Sequence, residues 1–153
     1  MPTSRDDPKA TFDWPVRIYY EDTDAAGVVF YANYLRFLER GRSEWLRALG
    51  YEQDALRRDE GILFTVRRVE LDYRTSAVFN DLLTVRSGLA HIGGASLTFA
   101  QEILRDADGA LCCQGAVNVA CIDAGTLRPR RLPVALVTGI LAGTGRSSPA
   151  SME

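Results

Sequence analysis

Two hydrophobic periods divide the chain. Tyr34, Leu38, Gly41, Trp45 and Leu49 recur at spacings of four, three, four and four, the repeat of one helix face. Leu35, Phe37 and Leu46 widen that stripe, and Arg36, Glu39, Arg40, Arg42, Ser43 and Arg47 take much of the remaining surface. The stripe is broad for a surface helix, so the segment from about Tyr31 is expected to lie deep against something large. Gly50 follows as the C′ residue. Gly41, inside the helix, costs about 1 kcal/mol relative to alanine. Such a glycine makes sense where another backbone or a ligand comes close.

Beyond residue 60 the period falls to two. Val69, Leu71 and Tyr73 alternate with Arg68, Glu70 and Asp72 in a strand expected over 62–74. Further strands are expected over 82–90, 96–104 and 110–122, with His91-Ile92-Gly93-Gly94 and Asp106-Ala107-Asp108-Gly109 as the turns between them. Short connections make these three an antiparallel meander. Before the helix, Trp14-Pro15 leads into a strand over 16–20, and residues 21–27 break the pattern with turn-forming residues. Residues 51–60 read as a short polar helix, and Pro129 and Pro133 close the regular region.

One strand, one long apolar helix and about four antiparallel strands make an α+β domain. Its sheet must curl around the helix, the only element expected to be long enough to cover one face. The domain is expected over 14–137, between a flexible N-terminal segment 1–13 and a flexible C-terminal tail 138–153. Long exposed sheet edges favour pairing with a second copy.

Length and composition narrow the chemistry. At 153 residues the chain suits one domain with a real core. A net charge of −2, with no Lys/Arg block interleaved with aromatics, argues against nucleic acid as a partner. The longest mainly apolar run near the C-terminus, Val134–Gly143, is far short of the ~20 residues of a membrane span. The N-terminus has no apolar signal core, so a cytoplasmic protein is expected. Three cysteines, two of them adjacent, form no C-x-x-C pair and read as reduced strand-packing residues. His91 is the single histidine, which leaves little material for a zinc cluster or a His-activated nucleophile. A calcium loop starting at Asp22 fails, because Ala26 and Asn33 stand where ligands are needed. No metal is expected.

The acidic loop remains. Asp22 and Asp24 come just before a helix N-terminus, where backbone N–H groups lack intrahelical partners. A carboxylate there serves either as a base beside an oxyanion site or as a cap, and position alone leaves both open.

The block Tyr20-Glu21-Asp22-Thr23-Asp24-Ala25-Ala26-Gly27-Val28-Val29-Phe30-Tyr31-Ala32-Asn33-Tyr34 resembles the hot-dog-fold thioesterases. More narrowly it is similar to the 4-hydroxybenzoyl-CoA thioesterase and YbgC-like acyl-CoA thioesterase group. Leu-Glu-Arg-Gly-Arg-Ser-Glu-Trp-Leu over 38–46 and Cys-Ile-Asp-Ala-Gly-Thr-Leu-Arg-Pro-Arg-Arg-Leu-Pro over 121–133 extend the likeness to about residues 14–134. The resemblance implies a curved sheet around a helix, and homodimers, often paired into homotetramers, with active sites at the subunit interface. It implies an acyl-CoA substrate, Asp24 as the catalytic carboxylate, the Tyr31 backbone N–H as the donor to the thioester carbonyl, and Gly27 as the point of close approach. No cofactor is called for.

Two departures qualify it. Tyr31 stands where YbgC-type members commonly carry His, so only the backbone role carries over. The turn His91–Ser96 lacks the basic residues that grip nucleotide phosphates in the 4-hydroxybenzoyl-CoA type. That grip then falls to Arg128, Arg130 or Arg131, or it is weak and leaves acyl carrier protein as a donor. Asp22 reads as a loop-holding residue, and Glu44 as a salt-bridge partner of Arg40 or Arg47. The competing reading is a non-catalytic hot-dog module that binds acyl groups or proteins.

Overall fold

The structure is a computed structural model that describes residues 11–143. Strand β1 (Phe12–Arg17) precedes helix α1 (Asn33–Ala48). A short helix α2 (Gln53–Ala55) runs into a π-helical turn, Leu56–Glu60. Strands β2 (Ile62–Tyr73), β3 (Leu82–Ile92), β4 (Ser96–Arg105) and β5 (Leu111–Asp123) follow, then helix α3 (Val134–Gly143). All pairings are antiparallel, in the order β1-β3-β4-β5-β2. The expected meander is therefore the centre of the sheet, with β1 and β2 as its edges.

Alternation along the central strands builds one apolar face. Leu83 and Val85 on β3, Leu97, Phe99 and Ile103 on β4, and Val117, Val119 and Cys121 on β5 are all buried. Helix α1 lays Tyr34, Phe37, Leu38, Trp45 and Leu46 against that face, packing over β1, β3 and β4. Gly41 explains itself here: a Cβ on it would stand 2.7 Å from Val85 Cγ1 and 3.2 Å from Ser87 Oγ. The helix closes as the sequence predicts. The Gly50 N–H donates to Arg47 O at 2.9 Å and the Tyr51 N–H to Leu46 O at 2.8 Å, the two bonds of a Schellman motif.

Arg42 corrects the sequence reading, which sorts it with the polar surface. It is only 8% exposed, because Gln101 on β4 meets it. Arg42 Nη1 donates to Gln101 Oε1 at 3.0 Å. The Gln101 amide in turn donates to Leu38 O and to Ser87 Oγ. Burial pulls the Arg42 guanidinium below its usual pKa.

Both ends of the domain differ from expectation. β1 begins at Phe12, which is buried against Trp14 and Trp45, so ordered structure starts before residue 14. The strand ends at Arg17 rather than Tyr20, because the Tyr19 N–H bonds to the Asp22 carboxylate and turns the chain. At the other end, α3 runs past 138 to Gly143, with Leu136 and Ile140 buried. Pro133 lacks an N–H, which a helix start tolerates, and its carbonyl accepts from Leu136 and Val137. The rest of both expected flexible segments, residues 1–10 and 144–153, lies outside the described residues.

Gly41→Val should lower unfolding stability by about 1–3 kcal/mol through overpacking against Val85, although helix propensity alone favours valine over glycine. Urea unfolding measures it, and Val85→Ala should recover part of the loss. A stabilised Gly41→Val protein would contradict the close approach.

Candidate active site

The loop between β1 and α1 is held by its own polar groups. Asp22 Oδ2 accepts from the Tyr19 N–H at 2.8 Å. Its backbone carbonyl accepts from the Phe30 N–H and from Asn33 Nδ2, tying the loop to the first residue of α1. Thr23 pairs with Val29 in an antiparallel bridge. Inside it, the Asp24 N–H donates to Val28 O at 2.8 Å and the Gly27 N–H to Asp24 O at 2.9 Å. Gly27 sits at φ +85°, a conformation that glycine adopts without penalty. Its role is thus to close a tight turn. Val28 bridges to Val78, and the Val29 N–H donates to Ala77 O.

This hairpin folds Asp24 back beside the segment that enters the helix. Asp24 is exposed. Its Oδ1 accepts from the Ala26 N–H at 2.8 Å, while Oδ2 has no partner among the described residues. Asp24 therefore caps no N–H of α1. The helix start is open: Asn33 and Tyr34 donate to Phe30 O and Tyr31 O, whereas the Tyr31 N–H meets no acceptor among the described residues. A carboxylate oxygen and a backbone donor are thus both free at one junction, the pair that acyl transfer requires.

Aromatic rings surround the junction. Tyr31 meets Phe30 at 5.1 Å between centroids and Tyr73 edge-on at 5.9 Å. Tyr34 lies 5.8 Å from the same Tyr73 ring. Its hydroxyl accepts from the Ala77 N–H at 3.1 Å, and burial raises its pKa. Tyr34 is thus core. The sequence marks Tyr73 only as an inward strand position; its place beside Tyr31 depends on β2 pairing Tyr73 with Cys113. Phe79, edge-on to Tyr20 at 5.9 Å, also follows only from tertiary structure.

The three arginines lie elsewhere. Arg130 Nη1 donates to Gly61 O at 3.0 Å and reaches Asp123 Oδ2 at 3.4 Å. Asp123 holds this loop, accepting from the Thr126 and Gly125 N–H groups, and those bonds keep its carboxyl below the usual range. The Arg128 and Arg131 side chains are exposed and make no ion pair among the described residues. Beside them, on the outer sheet face, a hollow of about 340 Å³ is lined by Thr65, Arg67, Ser96, Ala120, Leu127 and Pro129, among others. Gly61 precedes β2 and Tyr73 ends it, and the strand is twelve residues long. At about 3.3 Å per residue its ends are on the order of 35 Å apart. Within one chain, the arginines and the Asp24–Tyr31 junction are not brought together.

Among the described residues, no group of three or more His, Cys, Asp or Glu could hold a metal ion, and no helix is long and apolar enough to cross a membrane. Cys112, Cys113 and Cys121 are free and buried, and burial pushes the Cys113 thiol up to about 12. Glu44 pairs with Arg47, as one of the two expected partners.

Comparison with known proteins agrees with the fold. Residues 19–140 match the family described as "Thioesterase-like superfamily". The chain is 40% identical over 122 residues to the acyl-CoA thioesterase YbgC of Haemophilus influenzae, covering 80% of this chain and 88% of that protein. It is 41% identical over 126 residues to the acyl-CoA thioester hydrolase YbgC of Escherichia coli, covering 82% and 92%. A crystal structure of a probable thioesterase from Bartonella henselae superposes with a TM-score of 0.76 at 37% identity, over 81% of this chain and 100% of that one. With a curved antiparallel sheet around α1, matched over most of its length, the chain belongs to the thioesterase-like superfamily, among the YbgC-like hot-dog-fold acyl-CoA thioesterases.

Proposed function

We propose that this protein hydrolyses acyl-CoA thioesters to a free acid and CoA, with Asp24 as base or nucleophile and the Tyr31 N–H as oxyanion donor. One observation carries the assignment of residues: a carboxylate with a free oxygen and an unpaired backbone N–H share one hairpin-closed junction. The thioester carbonyl oxygen takes the Tyr31 N–H, which stabilises the charge that develops there. Asp24 then removes a proton from the attacking water, the C–S bond breaks, and the thiolate leaves and is protonated. In the covalent variant Asp24 itself attacks, and water hydrolyses the resulting anhydride. Gly27 keeps the turn free of a side chain on the approach to this carbonyl.

The arginines enter from a second copy. β2 is an edge strand with a free side, and Val66, Val69 and Tyr73 on its inner face are 38–47% exposed. Two copies joined antiparallel through β2 about a two-fold axis set the Arg130 end of one beside the Tyr31 end of the other. Each site then takes Asp24 from one subunit and phosphate contacts from Arg128, Arg130 and Arg131 of the other. The homodimer is the functional unit, and a homotetramer joins two of them. Exposed Arg128 and Arg131 suit CoA phosphates, and equally the phosphopantetheine arm of an acidic acyl carrier protein. The buried, unpaired cysteines fit a reducing cytoplasm.

Asp24→Asn should lower turnover by about 10²–10⁴-fold with folding retained, read as thiol release from CoA and carrier-protein thioesters. No turnover by the wild type on either donor would leave the binding-module reading instead. Tyr31→Pro should lose about 10²–10³-fold more than Tyr31→Ala, because only proline removes the N–H.

A mixture of Asp24→Asn with an Arg128→Ala/Arg131→Ala variant tests the shared site. Random re-pairing should restore about a quarter of wild-type activity, since half the dimers are mixed and each holds one intact site. No recovery on mixing would place both functions in one subunit.

A further inference from the structure

Tyr73 is held yet open. Its ring is touched edge-on by Tyr31, just before α1, and at a tilt by Tyr34 in the first turn of α1. An aromatic gripped on two sides would normally be core, but Tyr73 is 45% exposed. Its neighbours on the same face of β2 are Leu71 and Val69, which lie opposite Gly115 and Val117. Val69 is 38% exposed, and Val66 beyond it 47%. Because α1 packs over β1, β3 and β4, the inner face of β2 from Val66 to Tyr73 is left as an apolar shelf. That shelf begins at Tyr73, in contact with the residue whose N–H is unpaired.

We propose that Tyr73 is the specificity-determining residue for acyl length, standing where the acyl chain leaves the carbonyl and stopping long chains from running along β2. The inference rests on the thioesterase reading above. A carbonyl bonded to the Tyr31 N–H has the Phe30, Tyr31 and Tyr73 rings as apolar neighbours, and of these Tyr73 alone stands on β2. A short acyl group ends against the Tyr73 ring, and an aryl group stacks on it. A long chain has to displace a ring that two others hold in place, and then finds Leu71, Val69 and Val66 beyond it. Pairing through the edge of β2 leaves this inner face as the wall of the site.

The test compares kcat/KM for butyryl-, benzoyl- and decanoyl-CoA in the wild-type dimer and in Tyr73→Ala, Tyr73→Phe and Tyr73→Trp. The wild type should prefer butyryl- and benzoyl-CoA to decanoyl-CoA. Tyr73→Ala should raise the decanoyl-to-butyryl ratio by about tenfold or more, the scale expected when several methylenes gain a pocket. Tyr73→Phe keeps the ring and should hold the ratio, while Tyr73→Trp should lower it. A folded Tyr73→Ala protein with an unchanged ratio, or a wild type that prefers decanoyl-CoA, overturns the proposal. Should Tyr73→Ala not fold, an unchanged ratio in Tyr73→Trp overturns it just as well. A wild type that releases no thiol from any of the three overturns the thioesterase reading on CoA and this inference with it, whereas turnover with an unmoved ratio removes Tyr73 alone.

Discussion

The approach of α1 to the sheet at Gly41 sets most of the other distances in this molecule. With no side chain at that point, the helix backbone comes down onto Val85 and Ser87. At that separation the Gln101 amide can reach the helix carbonyl of Leu38 while its oxygen takes a proton donor of Arg42. The polar bridge fixes the rotation of the helix as well as its depth, because only one face presents both groups. A buried guanidinium that meets an amide rather than a carboxylate is a weak source of net stability, but an unmade bond there would be expensive. The arrangement thus specifies register more than it adds free energy.

Rotation of α1 decides what the site can be. It sends Tyr31 and Tyr34 toward the far end of β2 and leaves Val66, Val69 and Tyr73 of that strand partly open. The acidic loop does not lean on this packing for its shape. Asp22 ties it at Tyr19, Phe30 and Asn33, and the Thr23–Val29 bridge closes it. A loop braced by its own polar groups and by Ala77 and Val78, set on a rigid helix start, keeps a carboxylate and a backbone donor in place without a histidine between them.

Periodicity made the large elements legible. The 3.6-residue repeat located α1, and the period of two located the four later strands, because those patterns record which face is buried. Arg42 was hidden because a charged residue reads as surface unless its partner is known, and Gln101 lies 59 residues away. Helix α3 was hidden because an apolar run beside a Gly/Ser-rich end reads as a tail until Leu136 and Ile140 are seen to be buried. The motif at 20–34 pointed to Asp24, Gly27 and Tyr31, and the roles proposed for them rest on the free Asp24 oxygen, the tight turn at Gly27 and the open helix start. The arginine cluster could not be read in the same way. Its distance from the loop follows from strand length and topology, which no local pattern carries.

The three buried cysteines have a practical consequence for anyone working with the protein. Cys112, Cys113 and Cys121 are at most 1% exposed, and burial raises the pKa of each thiol, so little thiolate exists near neutrality. Reagents that count free thiols therefore stay silent toward the folded chain. All three lie on β5, between β4 and β2. Slow labelling over hours would then be a clock for how often that central seam of the sheet comes apart.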